Sequence, residues 1–236
     1  MEVFGTAIVA DNNANTITTT NVNKGGILDV GSNEFASTVT LNDGATLNIG
    51  FANDVPAEGE VTTVKNGSVK ELKGSKTEGD KAGVNFVFAA DLDTEKFPNE
   101  VSIADSIENG KQIVLNNNLL FDYAIGDEKV DGITLDQLDG QKLTVSKKDS
   151  SEVAAGVAAN GANGNQAGTI AAFVDGLSGN AQADNITNQI STLVQSGNVK
   201  GAARLAKEVA PVAAPVAQSQ VTETTNQVFG AVATRL

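Results

Sequence analysis

An internal repeat within residues 16–51 constrains the fold of this chain more than any other feature of its sequence. Residues 20–31 align with residues 39–50 at an offset of 19, with apolar residues in columns three, nine and eleven of the alignment. Glycine occupies columns six and twelve of both copies, and asparagine occupies column four. Apolar and polar residues alternate, as in Leu47-Asn48-Ile49, which is the period of a β-strand. The repeat therefore predicts short strands separated by glycine-containing turns.

A repeat of about 20 residues is typical of a solenoid, in which each coil adds one layer of inward apolar side chains. We therefore predict a mainly β fold, a right-handed parallel β-helix or solenoid with a capping β junction, followed by an α-helical carboxyl-terminal region. An antiparallel meander in a sandwich is the alternative interpretation, because two strands and two turns would also give a repeat of this length.

The composition of the chain changes at Ser150. Residues 150–236 hold only 4 of the 16 basic residues and 5 of the 29 acidic residues, while alanine, valine and leucine recur at helical spacing. Apolar faces predict helices around residues 170–177, 186–194 and 202–209, and a last helix over residues 216–236. This segment is polar on most sides and, as a helix, would be about 30 Å long.

The larger side chains Phe86, Phe88, Phe97, Phe121 and Tyr123 lie between residues 84 and 149. They indicate a thicker core, which would close the unpaired strand edges at the end of a solenoid. We accordingly predict three regions: β-solenoid coils at residues 1–83, a β junction or cap at residues 84–149, and a helical linker at residues 150–236.

Several chemistries are excluded by composition. The chain contains neither histidine nor cysteine, so Ser-His-Asp, Cys-His and thiolate–metal sites cannot be assembled. With a net charge of −13, the chain lacks the basic surface that nucleic-acid binding requires. We predict that it is not an enzyme and has no catalytic, cofactor-binding or metal site, no cofactor, no nucleic-acid partner and no small-molecule substrate.

Acidic and glycine-rich segments are the strongest remaining candidates for a site. Asp91, Asp93 and Glu95 alternate like calcium ligands but lack the glycine and final glutamate of an EF-hand loop. Carboxylate pairs can cleave glycans, and a β-helical glycan hydrolase remains a third hypothesis. We interpret both acidic clusters as solvated turns, the second being Asp127, Glu128 and Asp131. The segments 24–26 and 161–165 match no phosphate loop, and we expect a flexible hinge at the latter.

The carboxyl-terminal part of the chain resembles the end of the passenger region of bacterial autotransporters, the type V secretion proteins, and more narrowly the large surface antigens of rickettsiae. By pattern, the resemblance covers most of residues 140–236, and by architecture alone it extends to residues 16–145. It rests on Leu143-Thr144-Val145, Asn165-Gln166-Ala167, the alanine-rich segments 171–177 and 202–211, and the final Arg235-Leu236.

This resemblance implies a function in secretion. The chain would be a non-catalytic, surface-exposed passenger segment that supports passenger folding and translocation across the outer membrane, with its own carboxyl-terminal β-barrel as partner. Because no charged and apolar leader follows Met1, the chain would be either cytoplasmic or a piece of a longer exported protein, and the resemblance favours the second. Alternatives are an adhesin segment that binds a host-cell surface protein or glycan, and a soluble structural β/α protein unrelated to secretion.

Overall fold

The computed structural model of the protein describes residues 1–9, 17–77, 79, 81–89, 91–138, 141–176, 189–194, 197–206 and 208. The chain divides into two compact units, Met1–Lys148 and Asp149–Leu236. This division lies beside the change in composition at Ser150. The predicted boundary between residues 83 and 84 stays a prediction, and the predicted helix over residues 216–236 lies outside the described residues.

Two parallel β-sheets form most of the first unit, and consecutive strands alternate between them. Sheet A has the order β1-β3-β5-β8-β10, with strands Glu2–Val3, Thr19–Val22, Glu34–Leu41, Ser68–Gly74 and Ala104–Glu108. Sheet B has the order β2-β4-β6-β9-β11, with strands Thr6–Ile8, Ile27–Asp29, Thr46–Asp54, Ala82–Phe88 and Ile113–Leu115. One further strand, β7 (Thr63–Asn66), pairs antiparallel with β6.

A third sheet is antiparallel and follows the two parallel sheets in the chain. It contains β12 (Phe121–Ile125) between β13 (Glu128–Val130) and β14 (Leu143–Lys147). Single turns of 3-10 helix interrupt the β-rich unit at Thr94–Lys96, Gly110–Gln112 and Leu135–Leu138.

The offset of the sequence repeat is also the register of strand pairing. Asn21 pairs with Thr40, and Leu28 pairs with Leu47, each 19 residues further along the chain. Val84 and Leu115 continue the column that Leu28 and Leu47 begin, and all four side chains are fully buried. The alternating pattern therefore places one aliphatic residue per strand in a continuous core.

The glycines in one column of the repeat allow left-handed turns, and those in the other allow a close backbone approach, with Gly31 also at a left-handed φ of 55°. Gly25 and Gly44 have φ angles of 75° and 69°, a left-handed conformation that glycine adopts without steric cost. Gly31 and Gly50 bring their backbones together, and the amide of Gly50 donates to the carbonyl of Gly31 at 2.7 Å. A Cβ atom on Gly50 would lie 2.7 Å from the carbonyl carbon of Gly31, so a side chain cannot be accommodated there without a backbone shift.

The predicted fold class is wrong. The described chain is mixed α/β, and its helical segments lie between strands as well as in the carboxyl-terminal unit. Within the described residues, sheets A and B are two separate parallel sheets that are not closed into a solenoid. Only two clear copies of the repeat exist, and after Gly50 the β6–β7 hairpin and longer connections interrupt it. The antiparallel meander is also wrong for these sheets, since their successive neighbours are parallel.

In the residues that the structure describes, the second unit consists of helices joined by short turns. Helix α1 (Ser150–Ala159) buries Val153 and Val157, and helix α2 (Gly164–Gly176) buries Ala167, Ile170 and Ala171. Residues 189–194 and 199–206 are also helical and bury aliphatic side chains such as Ile190 and Val194. The predicted helices around residues 170, 190 and 202 are thus confirmed within the described residues.

Candidate functional site

An aromatic cluster joins sheet B to the antiparallel sheet. The ring of Phe88 stacks on Phe51 at a centroid distance of 4.6 Å and on Phe121 at 3.7 Å. Edge contacts add Phe86, Phe97 and Tyr123. The prediction that the larger side chains of residues 84–149 gather in one core is confirmed, although Phe51, which belongs to the repeat region, is part of the same cluster.

Tyr123 carries the buried polar group of this cluster. Its side chain is 3% exposed, and its hydroxyl group has no hydrogen-bond partner within the described part of the chain. Burial raises the pKa of this phenol because it penalises the charged phenolate. Tyr123 therefore stays neutral and contributes to packing.

Three consecutive asparagines connect the last strand of sheet B to the antiparallel sheet. Asn116 donates to the side-chain oxygen of Asn85 at 2.8 Å, and Asn85 donates to that of Asn48 at 3.1 Å. The Asn117 oxygen accepts from the amide of Gly132. The buried Asn118 amide donates to the Phe86 carbonyl at 3.3 Å, and its oxygen accepts from the Leu120 amide at 2.8 Å. These bonds fix the direction in which the chain leaves sheet B.

The edges of the two parallel sheets differ at this end of the unit. The outer edge of β11 is covered, because the amide of Leu115 donates to the carbonyl of Ile133 at 2.9 Å and Val114 forms a bridge with Thr134. No described strand pairs with the outer edge of β10. An open cleft of about 760 Å³ lies there, lined by Ser75, Lys76, Ala104, Asp105, Ser106, Ile107, Asn109, Gly110, Lys111, Gln112, Leu135, Asp136 and Leu138.

Residues that line the cleft are held by a side-chain hydrogen bond and by a close backbone approach. Asn109 has a left-handed φ of 54°, and its amide group donates to the Gly74 carbonyl at 3.4 Å. The α-carbon of Gly110 lies so close to Asp136 that a Cβ atom would meet the Asp136 amide nitrogen at 2.6 Å. Non-glycine residues adopt such φ values at an energetic cost and are frequent at functional sites. This geometry makes the cleft our candidate site.

An ion cluster on sheet A lies beside the cleft. The Lys73 amine is 2.8 Å from a carboxylate oxygen of Glu108 on β10 and 3.2 Å from one of Glu71 on β8. The hydrogen bond from Lys73 lowers the pKa of the Glu108 carboxyl group, and the hydrogen bond to Glu108 raises the pKa of Lys73. All three groups are partly exposed, so salt screens their attraction.

Replacing Lys73 with glutamine is expected to raise the pKa of Glu108 towards its ordinary value of 4.5. Because the pKa of Glu108 is lower in the folded state, its ion pair contributes stability above pH 4.5 that is lost as the pH falls through the folded-state pKa. A carbon-detected NMR titration of the side-chain carboxyl groups measures the shift. The Lys70→Gln variant is the matched control, and an unchanged Glu108 pKa in Lys73→Gln would contradict the assignment.

The acidic clusters identified in the sequence lie in a capped loop and in an exposed turn. Asp93 begins the 3-10 helix Thr94–Lys96 and accepts from the Glu95 amide at 3.2 Å. The side chain of Asn53 bridges this loop by donating to the Asp91 carbonyl and accepting from the Asp93 amide. Asp127 lies in the β12–β13 turn, and Glu128 and Asp131 are exposed. In the described residues, no group of three acidic side chains is placed to hold a metal ion.

The glycine-rich segments form turns. Gly25 lies in the turn before β4, and its amide donates to the Gly44 carbonyl at 3.1 Å. The predicted hinge at residues 161–165 connects α1 to α2. Asn163 and Gln166 cap α2 reciprocally there, with each side-chain oxygen accepting from the other residue's amide at 3.0 Å.

Comparisons with known protein families, with curated proteins and with solved structures found no match. No helix in the described ranges is long and apolar enough to span a membrane.

Proposed function

We propose that this protein is a non-catalytic segment of an exported surface protein of the autotransporter kind, in which residues 84–149 promote folding of the strands that precede them. Its partner within the secretion pathway would be the outer-membrane β-barrel of the same polypeptide, and it would act at the cell surface. The resemblance of residues 140–236 to the end of autotransporter passengers supports this assignment.

One observation carries the mechanism: strands follow chain order along both parallel sheets. Each interior strand of sheet A or sheet B pairs with its predecessor and its successor on the path of that sheet, so the layers can be added one at a time. The aromatic cluster and the covered edge of β11 lie at the carboxyl-terminal end of this series. At the amino-terminal end, β1 and β2 are outermost, and Phe4 and Ile8 are 76% and 72% exposed.

Because these two ends of the sheets differ, we expect folding to start at the carboxyl-terminal end and to proceed towards the amino-terminal end. The antiparallel sheet contains contacts close in sequence, such as Ile125 with Glu128, so the entropic cost of closing its loops is small. Once it has formed, Ile133 and Thr134 cover the outer edge of β11, and β9, β6 and then β4 can add to β11 in turn. Each added strand buries aliphatic side chains such as Leu47 and Ile49, and burying each contributes about 1.5–3 kcal/mol. Folding from this end would favour outward movement of the remaining chain without a chemical energy source.

A display experiment tests this proposal. The complete chain would be placed between a secretion signal and an autotransporter barrel in a Gram-negative host, with an epitope tag before Met1. We expect the tag to reach the surface, and we expect Phe121→Ala, which removes a ring stacked on Phe88, to lower the amount of protease-resistant displayed chain several-fold. Added protease and tag staining of intact cells measure this.

The matched control is Phe4→Ala, which removes a mostly exposed ring at the opposite end of the sheets. This variant should be displayed like the unchanged chain. Equal display and protease resistance of the two variants would contradict a folding role for residues 84–149. Retention of the unchanged chain in the periplasm would contradict the assignment to secretion.

A further inference from the structure

The outer edge of β10 is a site where a further strand can pair. In a parallel sheet each interior strand bonds to a neighbour on both sides, but β10 has β8 on one side and the cleft on the other. Four consecutive β10 residues, 104–107, line the cleft. An added strand of about five residues would be roughly 17 Å long, as is β10 itself. The cleft therefore has the elongated backbone surface that an extended peptide requires.

The direction of such a strand follows from the sheet. All four pairings within sheet A are parallel, so an added strand that continues the sheet runs in the direction of β10. Its last residue then lies beside the carboxyl end of β10, where the chain continues into Asn109 and Lys111.

Two lysines lie at that same end of the cleft, where Asp136 approaches Gly110 and Lys76 acts on the Glu108 carboxylate. Lys76 follows the end of β8 by two residues, and Lys111 follows the end of β10 by three. Both lysines are exposed and line the cleft, and in the described residues neither amine lies within ion-pair distance of a carboxylate. The negative end of a parallel strand, its terminal carboxylate, would meet these two cations.

Apolar side chains along the cleft provide the remaining contacts. Ala104 and Ile107 on β10 and Leu138 on the facing 3-10 helix are half-buried. The volume of about 760 Å³ lies within the range of pockets that enclose small ligands, about 300–1,000 Å³. Asp105 and Asp136 line the same cleft, so a polyanion such as a sulfated glycan would meet repulsion that a single terminal carboxylate avoids.

We propose that this cleft binds the extended carboxyl-terminal tail of a partner protein as an additional parallel strand, with its terminal carboxylate at Lys76 and Lys111. The backbone of β10 gives affinity through ladder hydrogen bonds, the half-buried apolar residues select small aliphatic side chains on the tail, and the two lysines select a free carboxyl end. This binding role is independent of the folding role proposed above.

Fluorescence anisotropy with the complete chain tests the site. The probe is the peptide Thr-Val-Ser-Val-Thr-Val, labelled at its amino end and free at its carboxyl end. Two further probes are its carboxamide and a version N-methylated at alternate residues, which keeps the side chains but removes donors to the ladder. Heparin serves as a polyanionic competitor.

We expect saturable binding of the free peptide and a loss of more than about tenfold on N-methylation, because ladder hydrogen bonds are removed. Lys76→Gln and Lys111→Gln should each weaken binding about two- to fivefold, the range for exposed ion pairs, and should not weaken binding of the carboxamide. Lys70→Gln, an exposed lysine on β8 outside the cleft lining, should leave all affinities unchanged.

Three results would overturn the proposal. Equal binding of the N-methylated peptide would show that no strand is added. Heparin binding that depends on Lys76 and Lys111, without peptide binding, would assign the cleft to anionic glycans. Absence of saturable peptide binding by a chain whose circular dichroism shows it folded would exclude a peptide site.

Discussion

Replacing Phe88 with alanine is expected to lower the free energy of unfolding of the unit Met1–Lys148 by about 4 kcal/mol. Phe88 is 4% exposed, and its ring stacks on Phe51 of β6 on one side and on Phe121 of β12 on the other. Its removal leaves a cavity between sheet B and the antiparallel sheet and breaks both stacked pairs. Equilibrium unfolding in urea, followed by circular dichroism, measures the loss.

Two variants separate this effect from a general effect of losing a phenyl ring. Phe88→Leu keeps an apolar side chain in the cluster and should cost about half as much, since only part of the volume is lost. Phe4→Ala removes the same ring from an exposed position and should change the free energy of unfolding by less than about 0.5 kcal/mol. Similar losses for Phe88→Ala and Phe4→Ala would mean that the aromatic cluster does not hold the unit together.

Replacing Gly67 with alanine is expected to destabilise the same unit by about 3 kcal/mol, at the upper end of the usual cost of overpacking. Gly67 is buried between β7 and β8, and its amide donates to the Gly50 carbonyl at 2.9 Å. A Cβ atom on Gly67 would lie 2.1 Å from the Gly31 carbonyl oxygen. That oxygen belongs to the backbone of a neighbouring layer, so one of the two segments must move. Thermal unfolding in parallel with urea unfolding provides the measurement.

Gly5→Ala is the control for Gly67→Ala. A Cβ atom on Gly5 would meet no atom within 4 Å, and Gly5 has no left-handed φ angle. Alanine there restricts the unfolded chain and should raise the free energy of unfolding by about 0.5 kcal/mol. The two Gly→Ala substitutions are thus expected to change the free energy of unfolding in opposite directions. A neutral Gly67→Ala would disprove the close approach of Gly31, Gly50 and Gly67.

Local order in the first unit was predictable from the sequence because its signals are periodic. The short strands predicted for the repeat correspond to Thr19–Val22, Ile27–Asp29, Glu34–Leu41 and Thr46–Asp54. The glycine and asparagine columns of the repeat correspond to turns, backbone contacts and the hydrogen bond between Asn42 and Asn23. In each of these columns, one main conformational requirement explains why that residue type recurs.

The arrangement of those strands was less predictable. Nothing in the alternation of residues 61–66 distinguishes an antiparallel partner of β6 from another parallel layer, because both bury the same face. Helix α1 lies within the helical region predicted for residues 150–236 but was not predicted as a separate helix, although the Glu152 carboxylate accepts from the Asp149 amide at 3.3 Å. That pair is a helix-start signal that could have identified it.

The cleft could not have been found from the sequence. Its lining comes from a connection after β8, from β10 and from two 3-10 helices separated by more than 20 residues of chain. Lys76 and Lys111 have no spacing that marks them as partners, and only the parallel pairing of β8 with β10 brings the ends of these strands together. The acidic clusters, in contrast, attract attention in the sequence because their residues are neighbours in the chain.

The core columns of sheet B allow the connections between layers to vary in length without changing the layers. The paired residues Leu28–Leu47, Leu47–Val84 and Val84–Leu115 lie 19, 37 and 31 residues apart, yet each pair occupies the same position in the core. The strand pairing and the glycine contacts set the register. The length of a connection changes only the amount of chain that lies outside the sheets. A family of such proteins could therefore diversify its surface by insertion while its interior stays unchanged, and epitope or domain insertion at residues 57–60 should be tolerated for the same reason.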